Sequence, residues 1–388
     1  MASILYITNV KPPTCDCSST DIMTNNLIYG LSQTSNNMTL LVLIDNNTDI
    51  AKTYEYYSKY VNRVLFLKRF FHDGQSKYCF LLGGLASLLL QRRYIDELKR
   101  VSGSISDIDI IIANKVTIDE VIYGGLIHKG IPRAKYYQFW SDPMALSGIT
   151  RNQFSKMPRR WLFRFLEKSL ISKGDLIVYG TRTLYLTQSA FYKTMSKKMR
   201  YIDICYSPNQ SVNYSVMNNH LLYAGNYYST IRNIIPLVEA ISSQDKYKLD
   251  IYGNGDVDLS QYKNVEVHAR VDRALIEEIE SKYCAIICIL NKTTSQIPGK
   301  VFYDMCSEKA IIVLTDGSYC ETILDDLETY KRFKVCKNEY HNILDMLSSD
   351  CLSVGFDYSE IKEKYSPYAI SMSLINGGKT IEDNAKRV

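Results

Sequence analysis

The sequence has no C-x-x-C pair, no apolar run long enough to span a bilayer and no basic N-terminal start. Each absence excludes something. Ten cysteines without that spacing, most of them inside apolar runs such as YCAIICIL and YDMCSEKA, read as small buried hydrophobes. Structural zinc and a disulfide framework are therefore not expected, and the compartment is expected to be reducing and cytoplasmic. The longest uncharged apolar run, YCFLLGGLASLLL at 78–90, is roughly 13 residues, against the ~20 that a membrane helix needs. MASILYITNV runs directly into a strand-like pattern, so no secretory leader is expected. The five histidines are scattered, none at metal spacing to Cys, Asp or Glu, and no metal site is predicted; His268 reads as structural.

What is present is an ordinary globular composition, 46% hydrophobic and 22% charged, over 388 residues, a length that fits two domains better than one. The net charge of +5 is unevenly spread: residues 1–205 carry +11 and residues 206–388 carry −6. Opposite signs suggest different partners for the two halves.

Near-continuous apolar runs predict strands at 3–8, 38–44, 63–67, 108–113, 134–140, 175–180 and 200–205, with amphipathic stretches at 20–33, 77–100 and 158–172 between them. Runs of this kind suit strands covered on both faces, and the alternation is that of a doubly wound parallel sheet. The polar stretch 206–219 breaks the rhythm where the charge changes sign. The rhythm resumes with strands at 221–225, 248–253, 265–268, 284–290, 310–314 and 332–336 and helices near 230–243 and 272–282. In the first of these helices Ile231, Ile234, Val238 and Ile241 fall at helical spacing, with Pro236 in the first turn. The expected organisation is an N-terminal Rossmann-like domain at 1–205, a linker at 206–219, a C-terminal Rossmann-like domain at 220–366 and a tail helix at 367–388 returning to the first domain. Ligands bind beyond the carboxyl ends of such strands, so a cleft between the two domains is the expected site.

Several turns beyond the second-half strands could receive an anion. Gly225 and Asn226 follow the first, Gly253 and Asn254 the second, Arg270 and Val271 the third, and Ile297, Pro298, Gly299 and Lys300 open a short helix before a buried strand. Glycine admits a ligand close to the backbone, and a helix start beside a lysine suits phosphate. Each of these turns can equally be only a turn.

The segments LLYAGNYYSTIRNIIPLVEAI, LDIYGNGD and SQIPGKVFYDMCSEKAIIVL resemble the nucleotide-sugar-binding domain of GT-B glycosyltransferases, closest to the retaining glycosyltransferase family 4 and related bacterial surface-polysaccharide enzymes. The motif-level likeness covers about residues 221–315, and YYQFWSDPMAL at 136–146 is a softer match. The resemblance implies two Rossmann-like domains facing a central cleft and a metal-independent enzyme. It would move a sugar from a nucleotide-sugar donor, UDP-sugar foremost, to a glycan or lipid-linked acceptor. It places Arg232 at one of two basic positions that grip the donor pyrophosphate; Asn226 stands at the other, and Lys300 would replace the missing charge. Ser295 and Tyr303 stand where the family has two glutamates, the second holding the ribose, with Asp304 adjacent; Arg270–Val271 would lie against the base. No D-x-D motif of the metal-dependent fold is present at a suitable place.

Asp142, beyond the strand YYQFW, is a candidate for contact with sugar or acceptor, and the leading general base were the enzyme inverting; an Asp-Pro turn explains it equally. Trp140 could stack on a sugar or fill the core. In KMPRRWLFRFLEKSLISK at 156–173, Lys156, Arg159, Arg160, Arg164 and Lys168 interleave with Trp161, Leu162, Phe163 and Phe165. This suits the anionic inner face of a plasma membrane or an ordinary sheet-covering helix; nothing accompanies it that would read nucleic acid. Two other functions fit the same fold: a non-catalytic partner subunit of a transferase, and a nucleotide-sugar epimerase, for which cleft acids and histidines are not evident.

Overall fold

A computed structural model describes residues 2–13, 18–34, 37–69, 105, 107–144, 157–208, 217–271, 273–292, 297–307, 309–317, 320–348 and 358–380. Among the described residues thirteen strands form two sheets in which every strand pairing is parallel. The first sheet contains β1 (Ile4–Thr8), β2 (Met38–Ile44), β3 (Arg63–Lys68), β4 (Ile110–Lys115), β5 (Lys135–Trp140), β6 (Leu176–Tyr179) and β7 (Met199–Tyr201). Its order is β3-β2-β1-β4-β5-β6-β7. The second contains β8 (Met217–Ala224), β9 (Lys248–Tyr252), β10 (Val265–His268), β11 (Tyr283–Ile289), β12 (Ala310–Thr315) and β13 (Lys334–Lys337), in the order β10-β9-β8-β11-β12-β13. Both orders reverse beside the first strand of their sheet, the mark of a doubly wound fold. Strands such as ILYIT and AIIVLT are buried at every position, as their unbroken apolar character requires.

Every run expected to be a strand overlaps one. Two of the shifted boundaries bear on the site. β8 begins at Met217, inside the span read as a linker, because Met217 pairs with Tyr283 of β11 and His220 with Lys248 of β9 on either side of two asparagines. The helix expected at 230–243 occupies only Ile235–Ser242, with Pro236 in its first turn. Residues 228–232 form a turn closed by a bridge between Tyr228 and Arg232, which leaves Ile231 exposed. The stretch 77–100 lies outside the described residues.

The chain divides into two compact units, the first made of Met1–Pro13, Thr20–Asp203 and Pro367–Val388, the second of Thr14–Ser19 and Ile204–Ser366. Within the first, helix α1 (Ser19–Thr34) and the tail helix, Pro367–Ile375, touch at backbone distance. A Cβ at Gly30 would lie 2.0 Å from the Pro367 carbonyl oxygen, and Ser371 Oγ donates to Leu27 O at 3.3 Å. Beyond that helix Tyr201 and Lys379 exchange backbone hydrogen bonds, and the Lys379 ammonium pairs with Asp203.

In the second unit Leu221, Tyr223, Leu249, Ile251, Ala285, Ile287 and Ile312 make one face of the sheet and share a core with Val238 and Ile241 of the helix at 235–242. The alternate residues, among them His220, Asp250, Glu266, His268 and Cys288, fall on the other face, as the two-residue period of a strand demands.

Candidate functional site

The second sheet reverses order between β8 and β11, so the crevice beyond the carboxyl ends of those two strands is where a ligand is expected. Lys300 and Arg232 meet there. Lys300 Nζ donates to the Ala224 carbonyl at the end of β8 at 2.6 Å and lies 4.8 Å from the centre of the Tyr223 ring. Arg232 Nε donates to Asn291 Oδ1, two residues past the end of β11, at 2.7 Å. Neither cation forms an ion pair with a carboxylate among the described residues. Burial, chiefly, holds the Lys300 ammonium below the ordinary lysine range; Arg232 pushes the same way, while Cys288, Glu280 and Asp304 oppose. Burial likewise raises Tyr223 to about 12, the Arg232 guanidinium opposing.

The glycines fit this crevice because nothing larger would. A Cβ at Gly225 would meet Lys300 Nζ at 3.2 Å. One at Gly253 would lie 2.1 Å from the Gly225 carbonyl oxygen, and one at Gly255 would run into the Tyr227 ring. Gly225 N donates to Tyr252 O, Tyr227 N to Asn254 O, and Asn254 N to Asn226 Oδ1 at 3.2 Å, so the loops after β8 and β9 are laced together. Gly225, Asn226, Gly253 and Asn254 thus gather at one strand edge with the two cations.

The IPGK segment differs from its expected form. Its helix, Lys300–Tyr303, is a single turn, and the N–H groups of Val301, Phe302 and Tyr303 donate to the carbonyls of Pro298 and Gly299. Those donors are committed, so the capacity for an anion resides in Lys300 Nζ and the Arg232 guanidinium. Ile297, Tyr303 and Asp304 are buried, and the Tyr303 hydroxyl bonds to Ser19. The tyrosine at the family's ribose-holding position is thus tied to Ser19, and the adjacent Asp304 is buried. Arg270 is exposed beyond β10, with Val271 beside it half-buried; Ser295 lies outside the described residues.

Sequence reasoning missed Arg332. It is fully buried and donates to the carbonyls of Met305, Ser307 and Lys309 at 2.8, 2.7 and 2.6 Å, clamping the chain between the Lys300 turn and β12. Nothing in the motif pattern marks it, since its partners are carbonyls.

In the first unit Asp142 follows β5, its carboxyl raised by burial while Lys115 opposes the shift. Lys115 Nζ donates to the Asp142 carbonyl at 3.0 Å and lies 5.4 Å from the Trp140 ring centre. Trp140 is fully buried and its Nε1 donates to Gln138, so it fills the core. Beyond β4, Thr117 and Glu120 cap the helix Asp119–Gly130: Thr117 N and Oγ1 both donate to Glu120 Oε2, at 2.8 and 2.9 Å. Burial beside Asp119 raises Glu120 to about 7. Arg69, itself buried, pairs with Asp119 and Asp45. The spacing of Thr117 and Glu120 was a readable signal for this cap.

Of the basic helix, Met157–Ser172 forms as expected. Phe163, Leu166, Leu170 and Ile171 are buried, Phe165 is exposed, and Arg164 lies over the Phe191 ring at 4.5 Å. Glu167, fully buried, accepts from Met144 N and the Tyr192 hydroxyl. This half covers the sheet. Lys156 and the side chains of residues 157–162 lie outside the described set. No described helix is long and apolar enough to cross a membrane.

No family model and no curated protein matches the sequence. Solved structures do match over nearly the whole chain. An S. aureus TarM mutant in complex with fondaparinux, alpha-GlcNAc-glycerol and UDP superposes with a TM-score of 0.60 at 12% identity, covering 97% of this chain and 99% of that one. A UDP-N-acetylglucosamine 2-epimerase gives 0.52 at 11% identity over 97% and 95%, and the glycotransferase of kitacinnamycin 0.50 at 13% over 100% and 98%. The chain has the GT-B fold. Within that GT-B framework the cation pair occupies the switch point of the C-terminal Rossmann-like domain.

Proposed function

We propose that this chain is a GT-B glycosyltransferase that moves a sugar from a UDP-sugar donor to a hydroxyl of a lipid-linked glycan, with retention of configuration, in bacterial surface-polysaccharide synthesis. One observation carries the reading: two cations converge at the switch point, hydrogen-bonded to a carbonyl and an amide oxygen, and among the described residues no carboxylate forms an ion pair with either. Bringing like charges together costs free energy unless an anion completes the set, and a diphosphate is the anion this fold commonly meets. Lys300 and Arg232 would neutralise the charge growing on the departing diphosphate, which removes the need for a metal at that step. Asp142 is assigned to the acceptor side. The exposed Phe165 and the basic residues of 156–173 are assigned to peripheral contact with an anionic membrane. The names of the similar structures, one a glycotransferase and one solved with UDP, support the donor class.

A nucleotide-sugar epimerase is the second reading, favoured by the likeness to a 2-epimerase. The deciding experiment is UDP, GDP, dTDP, ADP and CMP binding by calorimetry in EDTA, on the wild type and on Lys300→Ala and Arg232→Ala. UDP binding that weakens in both variants supports the donor site; turnover of a UDP-sugar to UDP only with a glycan acceptor then selects the transferase, and an epimer without acceptor selects the epimerase. No nucleotide binding would move the assignment to a non-catalytic partner subunit.

A further inference from the structure

The histidines dismissed from the linear sequence form a cluster in three dimensions. Asp250 on β9 lies between two of them: His220 Nδ1 on β8 is 3.1 Å from Oδ2, and His268 Nε2 on β10 is 3.1 Å from Oδ1. Glu266 Oε1 stands 3.8 Å from the same His268 nitrogen. One ligand atom each from Asp250, Glu266 and His268 fits within 4.8 Å of the others. All four residues share the sheet face opposite the apolar core. The Tyr252 ring stacks on the His268 imidazole at 4.4 Å and 18°, fixing its plane.

We propose that Asp250, Glu266 and His268 form a site for a divalent transition metal of the zinc type, with His220 holding Asp250 in place from behind. Separations and donor types together point to the class. Tetrahedral bonds of ~2.0–2.1 Å put neighbouring ligand atoms about 3.3 Å apart; the two separations from His268 Nε2, 3.1 and 3.8 Å, lie on either side of that value, and the two carboxylate oxygens lie within 4.8 Å of each other. A nitrogen with two carboxylate oxygens suits Zn²⁺ or Mn²⁺, whereas Ca²⁺ and Mg²⁺ favour all-oxygen sets. On binding, the metal replaces the hydrogen bond between His268 and Asp250, so the imidazole carries its proton on Nδ1. The carboxylate–histidine contact at His220 is the outer-shell arrangement that orients ligating groups. Asp250 is nearly buried while Glu266 is 74% exposed, so one side opens to solvent and leaves room for water as a further ligand. The ion would tie edge strand β10 to β9, just before the exposed residues 269–270.

The test is Zn²⁺ calorimetry and Co²⁺ visible absorption on the metal-stripped full chain, with Mn²⁺ as a second arm. One equivalent of Zn²⁺ is expected, and a tetrahedral Co²⁺ spectrum. His268→Ala and Glu266→Gln should each weaken binding at least tenfold, His220→Ala by about 10- to 100-fold, and His341→Ala not at all. Glu266→Gln is the control against misfolding, because that side chain is largely exposed. Binding that is absent, or unchanged in His268→Ala and Glu266→Gln, overturns the proposal. Neither result depends on whether UDP binds.

Discussion

Lys300 and Arg232 are held by a carbonyl, an amide oxygen and a ring face. These neutral partners orient the two cations without cancelling them. A charge-assisted hydrogen bond to a diphosphate contributes about 1.5–3 kcal/mol, so Lys300→Ala or Arg232→Ala should weaken UDP binding by about 10- to 100-fold. Because both cations act on one anion, the double variant should lose less than the two single losses added, which a calorimetric double-mutant cycle would read. The glycines give a second, steric test. Gly253→Ala sets a Cβ against the Gly225 carbonyl, so the loops after β8 and β9 must separate. UDP binding should fall below detection in Gly253→Ala while circular dichroism still reports a folded sheet.

At the scale of single elements, two buried polar groups fix short segments that apolar packing alone would leave loose. Arg332 answers three carbonyls between the Lys300 turn and β12. Arg332→Met leaves them without partners and should cost about 3–5 kcal/mol of stability by urea unfolding. Glu120 closes the cap of the helix at 119–130, and its pKa of about 7 lies above the ordinary 4.5. Between those pH values the folded chain holds a proton that the unfolded chain has lost. The stability from this group is therefore fully present below about pH 4.5, declines as pH rises, and is gone above about pH 7, a change on the order of 3 kcal/mol. Glu120→Gln keeps the cap without titrating, so its unfolding free energy should be flatter with pH than that of the wild type and higher at pH 8.

How much was legible in the sequence follows from the same physics. Strands such as AIIVLT announced themselves because both their faces are covered. The glycine turns announced the strand edge that holds Arg232 and Lys300. The start of β8 stayed hidden because Asn218, Asn219 and His220 are polar, and the strand is held there by pairing of Met217 with β11 and of His220 with β9. The metal cluster stayed hidden for a related reason: Asp250 reaches His220 and His268 only through the register of three strands. Only the two-residue spacing of Glu266 and His268, which puts both on one face of β10, could have been read directly.

At the scale of the whole molecule, the first unit is discontinuous in sequence: most of the second unit, Ile204–Ser366, is inserted between Asp203 and Pro367. The closing helix is seated on Gly30 by contact too close for any other residue. Removal of residues 367–388 should lower the melting temperature of the first unit and expose α1, while UDP binding by the second unit persists; hydrogen exchange resolved by segment would separate the two effects. The same arrangement sets an order of events during synthesis. A ribosome delivers α1 before residues 204–366 and its seat at residue 367 only after them, so the first unit must wait, incomplete, while the second can already fold. The first domain to be made is the last to be finished, and any helper that shields nascent chains would be needed at the amino-terminal end throughout.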